Sequence, residues 1–234
     1  MNNKIRVAIL DDHLMTVEGY VAMLGKDPQI EIAAKMSFGE ELEHTLKAHP
    51  ANVLLLDVSV PTSSENHNPY PILHVIPKLL DAHSELKILV ISMHADRGLI
   101  RAVMDAGASG YILKDDQSIL KNLVSVVKTI ASDGIQLSRA THDVYAKHLS
   151  NETKELTPRE LQVLSLSAAF PNDTTAELAK KLNVKNSTVR NLLSKVYFKL
   201  NVNNRTAAIA KAREQGLITP YPPEAPHRPF PEKD

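Results

Sequence analysis

Residues 5–131 alternate short β-branched, apolar runs with amphipathic stretches, and this alternation restricts the fold more than any other feature of the chain. Residues 5–10, 30–34, 53–56, 87–92 and 110–113 read as strands. Residues 14–24, 39–48, 72–82, 96–106 and 118–131 read as the helices that follow them. Strands separated by helices return parallel to one another, so five such units predict a parallel sheet with helices on both faces. The run Val53-Leu54-Leu55-Leu56 is apolar throughout, as a strand covered on both faces requires.

The remainder is of a different kind. Residues 136–153 are polar with a short helical pattern from Ser138 to Leu149, and read as a linker. From Glu155 the pattern is helical throughout, opening on Thr157-Pro158-Arg159-Glu160, a capping box with proline at the first helical position. Six of the 14 prolines lie beyond residue 218, so 219–234 is expected to be an extended, disordered tail. The expected domains are therefore 1–135, the linker 136–153, 154–218, and the tail.

Charge follows the same division. The formal net charge of the 234 residues is +0, with 27 basic and 27 acidic side chains. Residues 1–145 hold 13 Lys/Arg against 18 Asp/Glu, and 146–234 hold 14 against 9, so −5 faces +5. Between Leu178 and Arg213 there are nine basic residues and no acidic one, a pattern that fits an anionic partner such as nucleic acid. The chain has no cysteine, which excludes a disulfide framework, a thiolate metal site and a cysteine nucleophile. No apolar run approaches the length of a membrane span, and Met1-Asn2-Asn3-Lys4 lacks the character of a signal peptide, so a cytoplasmic location without membrane contact is expected.

In open α/β sheets the working crevice lies at the carboxyl ends of the strands. Asp11 and Asp12 follow the first strand, Asp57 the third, Ser92 ends the fourth and Lys114 follows the fifth. Three carboxylates brought together call for a cation, and an all-oxygen set suits Mg²⁺. A carboxylate beside Mg²⁺ can attack phosphorus and form an acyl phosphate, with a hydroxyl and an ammonium to meet the phosphoryl oxygens. Each aspartate alone also fits a turn or helix cap; their order at successive strand ends is what favours a site.

Asp11-Asp12, the run Val53-Leu54-Leu55-Leu56-Asp57 with Pro61 four residues on, Ser92, and Ala106-Gly107-Ala108-Ser109-Gly110-Tyr111-Ile112-Leu113-Lys114 resemble the receiver domain of two-component response regulators. The resemblance implies a flavodoxin-like sheet of five parallel strands in the order 2-1-3-4-5. It implies Asp57 as phosphoacceptor, Asp11, Asp12, Asp57 and the Ser59 main-chain carbonyl as Mg²⁺ ligands, and Lys114 on the phosphoryl oxygens. Ser92 and Tyr111 would form a switch in which the aromatic ring turns inward. The sequence departs from the usual pattern at Thr62–Pro71, a longer, polar, glycine-free loop beside the crevice that gives a loose likeness to the RcsB-type subgroup.

The basic segment reads as a helix–turn–helix: Glu177–Leu182, a turn at 183–186, and a second helix capped by Ser187 and running from Thr188 to Leu200. Val189, Leu193, Val196, Tyr197 and Leu200 share its inner face, while Asn191, Ser194 and Phe198 lie opposite. Leu156–Leu164, Glu177-Leu178-Ala179, Ser187–Asn191, Lys199–Val202 and Asn204–Ala207 resemble the all-α, four-helix LuxR-type output domain, and the whole chain resembles the NarL/FixJ family. That resemblance implies double-stranded DNA as partner, with Lys185, Ser187, Thr188, Arg190, Asn191, Ser194, Lys195 and Lys199 facing it. It further implies a cognate histidine kinase or phosphotransfer protein, RNA polymerase, and a homodimer in the active state. The expected function is a phosphorylation-controlled transcriptional regulator rather than an enzyme, its chemistry limited to gaining and losing its own phosphoryl group. The alternative is a constitutive or partner-controlled DNA-binding protein whose first domain is an interaction module.

Overall fold

The computed structural model describes residues 4–149 and 156–218. The expected tail 219–234 and the end of the expected linker lie outside the described residues. Strands β1 (Ile5–Leu10), β2 (Ile30–Met36), β3 (Val53–Leu56), β4 (Lys87–Ser92), β5 (Gly110–Leu113) and β6 (Gln136–Leu137) form one parallel sheet in the order β2-β1-β3-β4-β5-β6. The first five stand in the expected order. The sixth comes from the stretch read as linker, which therefore extends the sheet instead of leaving it.

Strand residues alternate between the faces, as the pleat requires. Ala8, Leu10, Leu54, Leu56, Ile88, Val90 and Tyr111 bury against α2 (Glu41–Ala48), α3 (Ile72–Ala82), α4 (Arg97–Asp105) and Tyr145 of α7 (Arg139–Leu149). Val7, Ile9, Val53, Leu55, Leu89, Ile91 and Ile112 bury against α1 (Leu14–Leu24) and α6 (Leu123–Ala131). The single helix expected at 118–131 is broken: α5 (Gln117–Leu120) precedes α6. Asp116 caps α5 by accepting from the Ile119 N–H, and Asn122 donates its amide to the Ser118 carbonyl, a local side-chain bond that competes with helix continuation.

The C-terminal domain has its own core, in which Val163, Leu164, Leu178, Val189, Leu193, Val196, Tyr197 and Ala208 interlock. It consists of α8 (Pro158–Ala169), α9 (Thr175–Leu182), α10 (Asn186–Lys199) and α11 (Arg205–Glu214). Thr157 and Glu160 form the expected capping box, and Thr174 with Glu177 forms a second. Helix α10 begins earlier than expected, with Lys185 at the N-cap and Ser187 already helical. The reversal before it is made by Asn183 in the left-handed region (φ 52°), a conformation that asparagine tolerates.

Gly110 is where β6 meets β5. A Cβ there would lie 2.4 Å from the Gln136 carbonyl oxygen and 2.7 Å from Leu89. Gly110→Ala is therefore expected to push β6 off the sheet and to cost about 1–3 kcal/mol, read as a lowered urea midpoint.

Candidate functional site

β1 and β3 are adjacent with Leu10 level with Leu56, so the next residues, Asp11 and Asp57, emerge side by side. The Asp57 N–H donates to the Leu10 carbonyl at 2.9 Å and holds that register. The two aspartates are 2% and 4% exposed, too buried for water to screen their repulsion. Lys114, delivered by β5, spans them, its Nζ 2.8 Å from Asp11 Oδ2 and 2.7 Å from Asp57 Oδ2. Burial opposes the charge on Lys114, but the hydrogen bonds and charges of the two carboxylates outweigh it and raise its pKa above the ordinary value.

Asp12 is more open, its Oδ1 2.9 Å from His13 Nδ1. One ligand atom from each of Asp11, Asp12, His13 and Asp57 lies within 4.8 Å of the others. Three carboxylates against one ammonium leave a negative pocket of hard oxygen donors, and that donor set fits Mg²⁺. Behind it the phenol of Tyr20 is buried with no hydrogen-bond partner among the described residues. Its pKa is pushed up by burial first and by the charges of Asp11 and Asp57 second.

The far wall centres on His94. Its N–H donates to Ser92 Oγ at 3.0 Å, its carbonyl accepts from the Tyr111 hydroxyl at 2.7 Å, and its Nε2 lies 3.0 Å from Ser59 Oγ. The Ser59 N–H in turn reaches Asp57 Oδ1 at 3.3 Å. Ser92 and Tyr111 are both 0% exposed. The Tyr111 ring thus lies inside in this structure, in the core beneath α7. The Thr62–Pro71 stretch is a small hairpin folded against the body. Pro61 bridges Pro69, the Tyr70 N–H donates to the Val60 carbonyl, and the Tyr70 ring covers Gly39, where a Cβ would overlap it.

Helix α10 lies against the N-terminal domain with its polar face inward. The Asn186 side-chain amide donates to the Leu80 carbonyl at 3.1 Å, the Arg190 guanidinium to the Ser84 carbonyl at 2.9 Å, and the Asn191 amide to the Asp105 carbonyl at 2.7 Å. Leu80 and Asp105 lie in the last turns of α3 and α4, and Ser84 follows α3 by two residues. The Leu80 and Asp105 carbonyls belong to helix C-termini, which lack intrahelical donors and carry the negative end of the dipole. The main chain of Ser187 packs on Gly107, at φ 101°, where a Cβ would come 3.4 Å from the Ser187 oxygen and 2.9 Å from Leu80.

Residues 7–125 match the family model of the response regulator receiver domain, and residues 154–212 match that of the luxR family of bacterial regulatory proteins. The chain belongs to the response regulators. The transcriptional regulatory protein DegU of Brevibacillus brevis is 28% identical over 92% of this chain and 96% of its own length. DesR of Bacillus subtilis (strain 168) is 28% identical over 91% and 98%. Among solved structures, RcsB of Salmonella typhimurium superposes with a TM-score of 0.54 at 23% identity, over 89% of this chain and 97% of that one, a likeness of fold.

In this response regulator the five receiver residues Asp11, Asp12, Asp57, Ser92 and Lys114 converge as their strand-end positions implied, with Tyr111 and Ser59 beside them. The eight output residues expected to face DNA do not share one environment. Thr188 is exposed, and Lys185 is largely open at 3.7 Å from Asp81. Ser187, Asn191 and Lys195 are half-buried, while Arg190 and Ser194 are 6% and 4% exposed. Burial lowers the pKa of Arg190, and its Nε has no partner among the described residues. Lys199 does not point outward: its Nζ makes a buried ion pair with Glu160 at 2.9 Å, so helix α10 ends against the α8 capping box. Phe198, on the outer face as expected, stacks on His142.

Two further participants carry weak signals in the sequence. His13 adjoins the acidic pair directly, and its position after Asp12 was the available signal. Asp133, in the left-handed region at φ 59°, binds Lys87 at 3.3 Å and Arg205 at 3.2 Å, joining receiver to output domain. The Asp133-Gly134 pair announces a turn but not that partner. The buried Lys199–Glu160 pair yields a test: Lys199→Ala leaves an unpaired carboxylate and is expected to destabilise the chain by about 3 kcal/mol or more. Chemical denaturation would measure it, and Glu160→Gln in the same chain should recover part of the loss.

Proposed function

We propose that this response regulator accepts a phosphoryl group on Asp57 and that its receiver thereby controls the access of helix α10 to double-stranded DNA. The observation that carries this reading is the docking of α10: Arg190 and Asn191, two side chains suited to DNA, are engaged by receiver carbonyls. A helix cannot present one face to α3 and α4 and to a major groove at once, so DNA binding requires release.

The chemistry rests on the chain's own groups. An Asp57 carboxylate oxygen attacks phosphorus of a phosphohistidine in the kinase or phosphotransfer protein. A P–O bond forms, the P–N bond breaks, and its electron pair leaves with the imidazole. Lys114 moves from Asp57 Oδ2 to a phosphoryl oxygen, and Ser92 supplies a hydroxyl to another. Asp11, Asp12, Asp57 and the Ser59 carbonyl would hold Mg²⁺, which would neutralise charge on the transferred group. The proposed DNA-facing set is Lys185, Ser187, Thr188, Arg190, Asn191, Ser194 and Lys195, with Lys199 left to its structural pair. A cytoplasmic regulator that dimerises on its operator and acts on RNA polymerase is the setting in which such a switch works.

Incubation with Mg²⁺ and a small phosphodonor is expected to add the mass of one phosphoryl group, lost in Asp57→Ala, and to tighten binding to duplex DNA. No mass gain, or DNA binding indifferent to the donor, would refute the assignment. Removal of the internal cation offers an independent check. In Lys114→Ala the carboxylates have no ammonium between them, so Mg²⁺ should raise the melting temperature more than it does in the wild type.

A further inference from the structure

Helix α7 is held by the receiver on one side and holds α10 on the other. Just before it, β6 pairs with β5, Tyr111 standing level with Leu137, and the Ser138 N–H donates to the Tyr111 carbonyl at 3.2 Å. Thr141 Oγ1 donates to the same carbonyl at 2.8 Å and lies 2.9 Å from Ser138 Oγ, both residues being 0% exposed. One turn on, Tyr145 is 1% exposed within the receiver core that also contains Tyr111, Val103 and Met104. On the outer side of α7, the Phe198 ring of α10 stacks on His142 at 4.8 Å and meets Tyr145 edge-on at 5.2 Å.

The inner end of this series reaches the crevice. Tyr111 is tied through its hydroxyl to the His94 carbonyl, and His94 is tied through its N–H to Ser92 Oγ. If Ser92 Oγ turns away from the His94 N–H to a new partner, the segment at His94 loses one of its anchors and the carbonyl that holds the Tyr111 hydroxyl is freed to shift. A close-packed core transmits such a shift because its side chains cannot leave a void. From α7, Tyr145 enters the core cluster that holds Tyr111, and the Thr141 hydroxyl binds the Tyr111 carbonyl.

We propose that α7 is the element through which the crevice sets the receiver's grip on the recognition helix, with Thr141 positioning α7 on β5 and Phe198 coupling α10 to it. This deepens the regulation of the proposed switch and rests on the reading of Asp57 as phosphoacceptor. Thr141 and Phe198 touch neither the phosphoryl group nor DNA in that reading; they act through Tyr111 and α10.

The test uses the full chain as wild type, Thr141→Val, Thr141→Ser and Phe198→Ala, with and without Mg²⁺ and a small phosphodonor. Three quantities are read: intact mass, amide hydrogen exchange in Asn186–Lys199, and binding to a random-sequence duplex at low salt. Thr141→Val keeps the volume and removes the hydroxyl, whereas Thr141→Ser keeps the hydroxyl. Thr141→Val and Phe198→Ala are expected to gain the phosphoryl mass normally. Without donor, their α10 amides should exchange about tenfold faster than in the wild type, a coupling within the usual range for linked sites, and DNA binding should lose most of its dependence on the donor. Thr141→Ser should behave as wild type.

Wild-type exchange and wild-type donor response in both Thr141→Val and Phe198→Ala would overturn the proposal. If Phe198→Ala fails to fold, the contrast between valine and serine at 141 decides. A wild type that gains no phosphoryl mass, while Thr141→Val still speeds α10 exchange, would refute the phosphoacceptor reading and leave the hold of α7 on α10 standing.

Discussion

The register of β1 against β3 sets the terms for the whole receiver crevice. With Leu10 level with Leu56, the chain has no means of separating Asp11 from Asp57, and each is almost wholly removed from water. Two carboxylates in that position need positive charge close by, and the sheet supplies it from β5 as Lys114. One ammonium does not balance three carboxylates once Asp12 is counted. The pocket stays electron-rich, and its pull on cations follows from backbone pairing rather than from any flexible arrangement of side chains. The same placement makes Asp57 a carboxylate whose oxygen is held in place by Lys114 and the Ser59 N–H.

The second constraint concerns acceptors. The polar face of α10 carries amides and a guanidinium, groups that must find oxygen when buried. In the closed chain they find it at the C-terminal ends of α3 and α4, where main-chain carbonyls have no helical donors of their own. Those helix ends resemble nucleic acid in the one respect that matters here, a display of partly negative oxygen. The match is incomplete: Arg190 is desolvated with one oxygen at 2.9 Å and its Nε unpartnered among the described residues. Burying a charge with so little compensation limits the stability of the closed arrangement. A docking of limited stability is the kind that a modest change elsewhere can shift, because a switch responds only to the difference in free energy between its states.

Legibility followed the physics of each part. The α/β fold was open to reading because the apolar strand runs and the helical stretches between them reflect burial on both sheet faces. The crevice was readable because strand-end positions in a parallel sheet converge by topology, so Asp11, Asp12, Asp57, Ser92 and Lys114 needed only their order in the chain. The break at Lys121–Asn122 was hidden, since Asn122 also fits a helix surface and its bond to Ser118 is visible only in three dimensions. β6 was hidden for a related reason: Gln136-Leu137 is too short to show a period, and it forms because Gly110 leaves room for its carbonyl. Lys199 was misplaced because a lysine at the end of a basic helix looks solvated until Glu160 is found beneath it.

The outer face of α10 marks the limit of such reading. Its apolar stripe is used once, in the core of the output domain, and pattern analysis finds it at once. Its polar stripe is suited to two partners, and nothing in residue type separates an amide that meets a base or phosphate from one that meets a helix carbonyl. Phe198 carries that ambiguity as well, for an aromatic ring among polar neighbours signals a contact without naming it; here the contact is His142 and Tyr145 of the same chain. Because one face serves both the receiver and the proposed DNA site, each substitution on it changes two equilibria together. Loss of the Asn191 amide weakens the closed form and the DNA complex alike, so its net effect on regulation is a difference of two losses. Thr141 escapes that cancellation, since it lies on α7, off that face, and bears on the closed form alone.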